Sequence, residues 1–160
     1  MSVILCIDPG STLGVAVYEE GALVYYTQLG TDNKKPLWSR VAHLDDQIQV
    51  LFSKYEPTTL VVEDVLSAAY GIKHWKALLW VVITYVFATL TAHRRRMDIF
   101  QVNPKRLKKH ATNNGAATKP MMIQAAETIL PSGTKLKKSQ HNVADAILLG
   151  AYYLDEREAA

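Results

Sequence analysis

The chain has 160 residues, about half of them hydrophobic, with 18 Lys and Arg against 15 Asp and Glu for a net charge of +3. That length and apolar content predict one compact domain over residues 1–160, and a single cysteine, Cys6, excludes an intrachain disulfide or a cysteine-built zinc cluster. The positive excess is too mild to name a partner, but it is uneven. Basic residues gather at Arg94–Arg96, Lys105–Lys109 and Lys135–Lys138, and acidic ones at Asp155, Glu156 and Glu158. Such a distribution serves either a basic face for a polyanion or a set of separate solvated patches.

No basic stretch precedes the first apolar run, and Asp8 interrupts that run early, so no secretory signal is expected and a cytoplasmic location is. Ser2 to Asp8 is apolar and β-branched before Pro9-Gly10, the pattern of a central strand stopped by a turn. Gly14 to Tyr18 resumes as a second strand, Gly21 marks a turn, and Ala22 to Leu29 reads as a third. The short connections predict an antiparallel meander. Val41, Leu44, Ile48, Leu51 and Tyr55 recur at helical spacing, predicting an amphipathic helix within Pro36–Tyr55 that Glu56-Pro57 ends. Thr58 to Glu63 is a β-branched run, predicted as a buried strand parallel to the first. A long apolar helix follows from about Gly71 to Arg96. Its uncharged stretch, Ala77–Ala92, is shorter than the roughly 20 residues that span a bilayer. A helix apolar nearly all round must be covered nearly all round, by the core or by a second copy of the chain. Asp98 to Val102 reads as a fifth strand. Asn103-Pro104 opens a helix with Asn as cap and Pro at the first helical position. Thr118 is placed as the cap of the next, Pro131–Gln140 as a polar basic loop, and a last helix from about Asn142 to Glu156. The order predicts an α/β fold, a five-stranded mixed sheet (three strands antiparallel, two parallel) flanked by helices.

Three acids stand out by position. Asp8 ends one apolar strand, Glu63 ends another with Asp64 beside it, and Asp145 lies one turn into an otherwise apolar helix, between Ala144 and Ala146. Singly, each has an ordinary explanation: turn chemistry before Pro9-Gly10, a surface ion pair for Glu63, a cap for Asp145. Together they are carboxylates in apolar surroundings, costly unless paired or bound to metal, and one divalent-metal centre explains all three. Mg²⁺ and Mn²⁺ prefer hard oxygen ligands, and two such ions roughly 3.5–4 Å apart clamp the attacking and leaving oxygens of a phosphodiester. His43, His74, His93 and His110 show no zinc-site spacing. Trp38, Trp75 and Trp80, at helical positions, are expected in the core or an interface rather than stacked on bases.

Asp8-Pro9-Gly10-Ser11, with Gly14 and Val15 after it, resembles the first motif of the RuvC family of Holliday-junction resolvases. Val61-Val62-Glu63 resembles that family's second acidic strand, and Ala144-Asp145-Ala146 its last motif. Asn103-Pro104-Lys105 and Gly115-Ala116-Ala117-Thr118-Lys119 resemble the segment that carries basic DNA-contacting residues. The likeness runs in one order over most of the chain. It implies an RNase H-like fold and a structure-selective DNA endonuclease, with two Mg²⁺ or Mn²⁺ ions per site held by Asp8, Glu63 and Asp145. It also implies a homodimer acting on branched DNA at four-way junctions, with Lys108 and Lys119 as functional lysines and Lys105 and Tyr70 as further DNA contacts. No membrane partner is expected. Two positions depart from the pattern. Where the family carries an Asp or His one helical turn before the last Asp, this chain has Asn142, preceded by His141. Both share the helix face of Asp145, so Asn142 is expected to face the metals with His141 near the scissile phosphate, helix capping being the other reading of Asn142. Where the family carries an aromatic wedge after the second acid, Leu66 stands near the position and Tyr70 is the nearest aromatic. A ribonuclease on RNA–DNA hybrid or structured RNA would use the same metal site, and a catalytically weakened branched-DNA binding protein is the reading that Asn142 leaves open. A phosphotransferase of the actin and sugar-kinase type would need two lobes, for which the chain is too short.

Overall fold

The computed structural model describes residues 2–65 and 75–159. β1 (Val3–Asp8) is the middle strand of a five-stranded sheet. Its residues Val3 to Ile7 are buried, as a strand covered on both faces requires. It pairs antiparallel with β2 (Thr12–Glu19), which pairs antiparallel with β3 (Ala22–Gly30). The β2–β3 hairpin turns on Glu20 and Gly21, both at positive φ, the combination that a two-residue primed turn demands. On its other side β1 pairs parallel with β4 (Thr59–Glu63), and β4 with β5 (Asp98–Val102). The spatial order β3-β2-β1-β4-β5 is the mixed sheet expected from the run of elements.

Alternation along the strands sends side chains to two separate cores. Leu5, Ile7, Leu60 and Val62 face α1 (Leu37–Tyr55) and α2 (Trp75–Arg94), meeting Leu44, Ile48 and Ala88. Ile4, Cys6 and Val61 face the other way, toward α3 (Pro104–Thr112), α4 (Lys119–Glu127) and above all α5 (His141–Glu158). Asn103 caps α3 as expected, its side chain accepting from the backbone N–H of Lys105 and Arg106. Thr118 occupies the cap position of α4 but makes no side-chain cap bond; Pro120, two residues on, lacks one of the N–H groups such a cap would use. The basic loop ends in a 3₁₀ turn at Lys138–Gln140 that runs directly into α5, so the last helix begins at His141, with Gln140 at its cap. Asn142 is therefore inside the helix and does not cap it.

α5 lies unusually close to β2 because two glycines let it. A Cβ on Gly14 would meet the Asn142 carbonyl oxygen at 1.7 Å, and one on Gly150 would meet the Tyr18 ring at 2.1 Å. Tyr18 then donates its hydroxyl to the Ile147 carbonyl at 2.7 Å, satisfying a buried polar group.

α2 differs in part from expectation. Among the described residues it runs from Trp75 to Arg94, 20 residues, long and apolar enough by length and composition to cross a bilayer. One face, Trp80, Thr84, Ala88, Thr91 and Ala92, is instead built into the protein. A stripe on the other side, Leu79, Val82, Val86 and Leu90, is 38–46% exposed. The helix closes with Arg96 in the left-handed region, the Met97 N–H reaching the Ala92 carbonyl and the Arg96 N–H the His93 carbonyl, a Schellman ending. Of the three tryptophans, expected in the core or an interface, only Trp80 is in the core; Trp38 and Trp75 are exposed on this chain. The Arg94–Arg96 cluster lies just before Asp98, which pairs with Thr59, so it sits at the sheet end opposite Glu63 and Val102. The three basic clusters do not form one face.

Candidate active site

Asp8 and Glu63 are the last residues of two neighbouring parallel strands. The register Cys6–Val61, Ile7–Val62 carries on to place them side by side, with backbones about 4.8 Å apart. Both follow the parity of Cys6 and Val61, so both side chains stand on the α5 face. Asp145, on the second turn of α5, completes a group drawn from three elements. Asp64 has the opposite parity. Its N–H is bound by the Val102 carbonyl at 2.8 Å, and its charge acts on Tyr85 of α2, whose hydroxyl accepts from Gln101.

The electrostatics identify the three acids as one cluster. Burial, then the Asp145 and Glu63 carboxylates, raise the Asp8 pKa well above its ordinary value, against the pull of Lys119. Glu63 is pushed up to about 7 by burial and then by Asp145, with Lys108 opposing and Asp64 adding a little. Asp145 is raised to about 6 by burial, held back by Lys108 and Lys119. Like charges gathered in a desolvated place disfavour ionisation, and among the described residues Lys108 and Lys119 offset it.

Lys108, half-buried on α3, and Lys119, exposed at the first residue of α4, therefore act on the cluster. Lys119 Nζ lies 3.0 Å from His141 Nε2. Burial and that ammonium lower the His141 pKa, so a neutral imidazole accepts from Lys119. Asn142 donates Nδ2 to the Thr12 carbonyl at 2.6 Å, fastening the start of α5 to the start of β2 and leaving its carboxamide oxygen as the atom that could face a cation. Lys105 is exposed on the first turn of α3 and is not among the charges that shift the carboxylates. Tyr70 and Leu66 lie outside the described residues. Thr12 is a participant that no sequence reading would select, because it acts through a backbone carbonyl that every residue type possesses.

A sequence model of the family described as "Crossover junction endodeoxyribonuclease RuvC" matches residues 4–151, from β1 to within α5. The protein of that name from Corynebacterium jeikeium is 29% identical over 154 residues, covering 89% of this chain and 88% of its own. Among solved structures, Thermus thermophilus RuvC in complex with Holliday junction substrate matches with a TM-score of 0.75 at 17% identity, over 98% of this chain and 97% of that one. The yeast mitochondrial Holliday junction resolvase matches with a TM-score of 0.61 at 15% identity, over 96% and 78%. The structural likenesses establish the RNase H-like resolvase fold, and the family match, spanning both strand-end acids and the helix that carries Asp145, establishes descent: the chain belongs to the RuvC family of crossover junction endodeoxyribonucleases.

Proposed function

We propose that this protein is a divalent-metal-dependent endonuclease that resolves four-way DNA junctions as a homodimer, with Asp8, Glu63 and Asp145 as its metal-holding residues. The observation that carries the reading is the meeting of these three acids, from β1, β4 and α5, at one sheet edge in a chain of this family. They form an all-oxygen donor set with surplus negative charge, which fits Mg²⁺ or Mn²⁺, two ions per site. Among the described residues no three His, Cys, Asp or Glu side chains already stand at metal-ligand spacing. When bound, such ions lower the pKa of water and stabilise charge on the reacting phosphate.

The chain's own groups supply the rest. Lys108 and Lys119 hold phosphate oxygens beside the carboxylates, as charge-assisted donors do. His141 accepts from Lys119 and keeps its ammonium at the scissile phosphate. Asn142 offers its carboxamide oxygen as a neutral fourth ligand while its nitrogen, on the Thr12 carbonyl, pins the helix that carries Asp145. Lys105, one turn from Lys108, and Tyr70 extend the DNA contact. The second copy packs on the exposed apolar stripe of α2, Leu79, Val82, Val86 and Leu90, and brings a second centre to the same junction.

The test is incubation with labelled four-way, three-way and linear DNA and RNA–DNA hybrid in Mg²⁺ or Mn²⁺. Paired nicks at the four-way junction are expected, abolished in Asp8→Asn, Glu63→Gln and Asp145→Asn while junction binding persists. Faster cutting of hybrid than of junction, or binding with no cutting in either metal, would overturn the reading.

A further inference from the structure

On the α1 side of the same sheet edge, the segment between β3 and α1 and the first two turns of α1 enclose a cavity of about 240 Å³. It is lined by Thr31, Asp32, Lys35, Ser39, Arg40 and His43. Arg40 is held in place there. Its Nε donates to Thr31 Oγ1 at 3.0 Å, its Nη2 to Asn33 Oδ1 at 2.8 Å, and its guanidinium carbon lies 4.5 Å from the centre of the buried Trp80 ring. Both acceptors are neutral, and among the described residues Arg40 makes no ion pair, so its charge is oriented but not cancelled. The one carboxylate at the cavity, Asp32, accepts from the Lys34 backbone N–H at 2.9 Å and so shapes the segment. A fixed guanidinium with a lysine, a serine hydroxyl and a histidine around it is a donor set for a phosphate group.

Position gives the source of that phosphate. Thr31 directly follows Gly30, which pairs with Thr12, and β1, ending in Asp8, is the next strand over. Two strand spacings of about 4.8 Å separate β3 from β1, a distance covered by about three nucleotides at roughly 3.4 Å per strand residue. Lys108 and Lys119 flank the carboxylates on the α5 face and this cavity flanks them on the other. Trp38, 75% exposed on the same turn of α1, offers a base a face to stack on. We propose that the cavity is a second phosphate subsite, in which Lys35 and Arg40 hold a backbone phosphate of the branched DNA a few nucleotides from the cut while Trp38 stacks on a neighbouring base. The proposal rests on the nuclease reading above and adds to it a grip on the far side of the sheet edge.

The experiment is binding of the full chain, without added Mg²⁺ or Mn²⁺, to four-way junctions carrying one neutral methylphosphonate at successive backbone positions. One position away from the cleaved phosphate is expected to weaken wild-type binding by about tenfold, as loss of a charge-assisted contact does. Lys35→Ala, at an exposed side chain, and Arg40→Gln are each expected to weaken binding of unmodified DNA and to abolish the penalty at that position. Each should also reduce the salt slope by about one. Wild-type affinity and slope in both variants, or a methylphosphonate pattern that neither changes, would overturn the subsite. A change in oligomeric mass with the methylphosphonate pattern intact would overturn it too, making the face a protein contact. If linear duplex shows the same coupling and no preference for the junction exists, the junction reading fails while the phosphate subsite stands.

Discussion

Replacing Gly14 by alanine tests whether the closeness of α5 to β2 sets the geometry of the carboxylates. The added Cβ would stand 1.7 Å from the Asn142 carbonyl oxygen, 2.2 Å from its carbon and 2.7 Å from the Val143 nitrogen. All three atoms are backbone in the first turn of α5, so no rotamer change relieves the overlap. Ordinary contact begins at 3.4 Å, so the start of the helix must lift by about 1.7 Å. The lift stretches the Asn142–Thr12 tether and carries Asp145 away from Asp8 and Glu63. Overpacking of this kind costs about 1–3 kcal/mol, inside the roughly 5–15 kcal/mol reserve of an ordinary domain, so the variant should fold. A displacement of about 1 Å at a catalytic centre costs on the order of 100-fold in rate, so single-turnover cutting of a four-way junction should fall by at least that factor. Binding through Lys108 and Lys119 should change far less. Gly30→Ala is the control, since its Cβ would lie 4.0 Å from the Thr12 side chain. Melting temperature, gel-shift affinity and single-turnover rate are the readouts. A folded Gly14→Ala protein that cuts within about threefold of wild type would refute the argument that this contact positions Asp145.

The raised carboxyls predict how stability depends on pH. Glu63 and Asp145 rise on folding to about 7 and about 6, so the folded state holds their protons longer. Without metal, the stability these two groups contribute is fully present below the ordinary carboxyl range and is lost as pH climbs through those values. The melting temperature should therefore fall between about pH 4 and pH 7, and less steeply in Glu63→Gln. Added Mn²⁺ competes with the same protons, so its thermal stabilisation should grow over that range; a stabilisation that shrinks instead would place the ion elsewhere. Asn142→Asp keeps an oxygen for the metal but cannot donate to Thr12, so it should melt earlier than wild type without metal, recover with Mn²⁺ and still cut. An inactive Asn142→Asp that folds normally would count against Asn142 as a ligand. Glutamate at both Val82 and Val86 should give a monomer by light scattering and lose paired cutting, whereas an undisturbed dimer would move the interface off α2.

Much of the fold was legible along the chain because local rules and tertiary packing agree there. The β-branched runs of β1 and β4 are strands buried on both faces, and Asn103-Pro104 starts a helix where its chemistry says one should start. A period of two, with strand ends marked by Asp8-Pro9-Gly10 and by Glu63, is enough to infer that two acids terminate buried strands. It is not enough to say that they share a face. That follows from the β1–β4 register, which pairs residues 55 positions apart and carries no trace in either segment alone. The same holds for the rest of the site. Nothing near His141 announces Lys119, and nothing near Asn142 announces the Thr12 carbonyl, because each partner is delivered by a different element across the sheet edge. By composition alone the three basic clusters look equivalent, yet α2 runs away from the carboxylates and takes Arg94–Arg96 to the opposite end. Trp38 fits a helical pattern as well as any core residue does, but it falls on the solvent side of α1, and Arg40 two residues on gains its fixed orientation from Thr31, Asn33 and Trp80. The sequence by itself determined the elements, their order, the apolar faces and the three acids, because periodicity and turn chemistry act over a few residues. Only the tertiary structure decided which charges meet, because Coulomb forces and hydrogen bonds depend on distances of a few ångströms between segments that are distant along the chain.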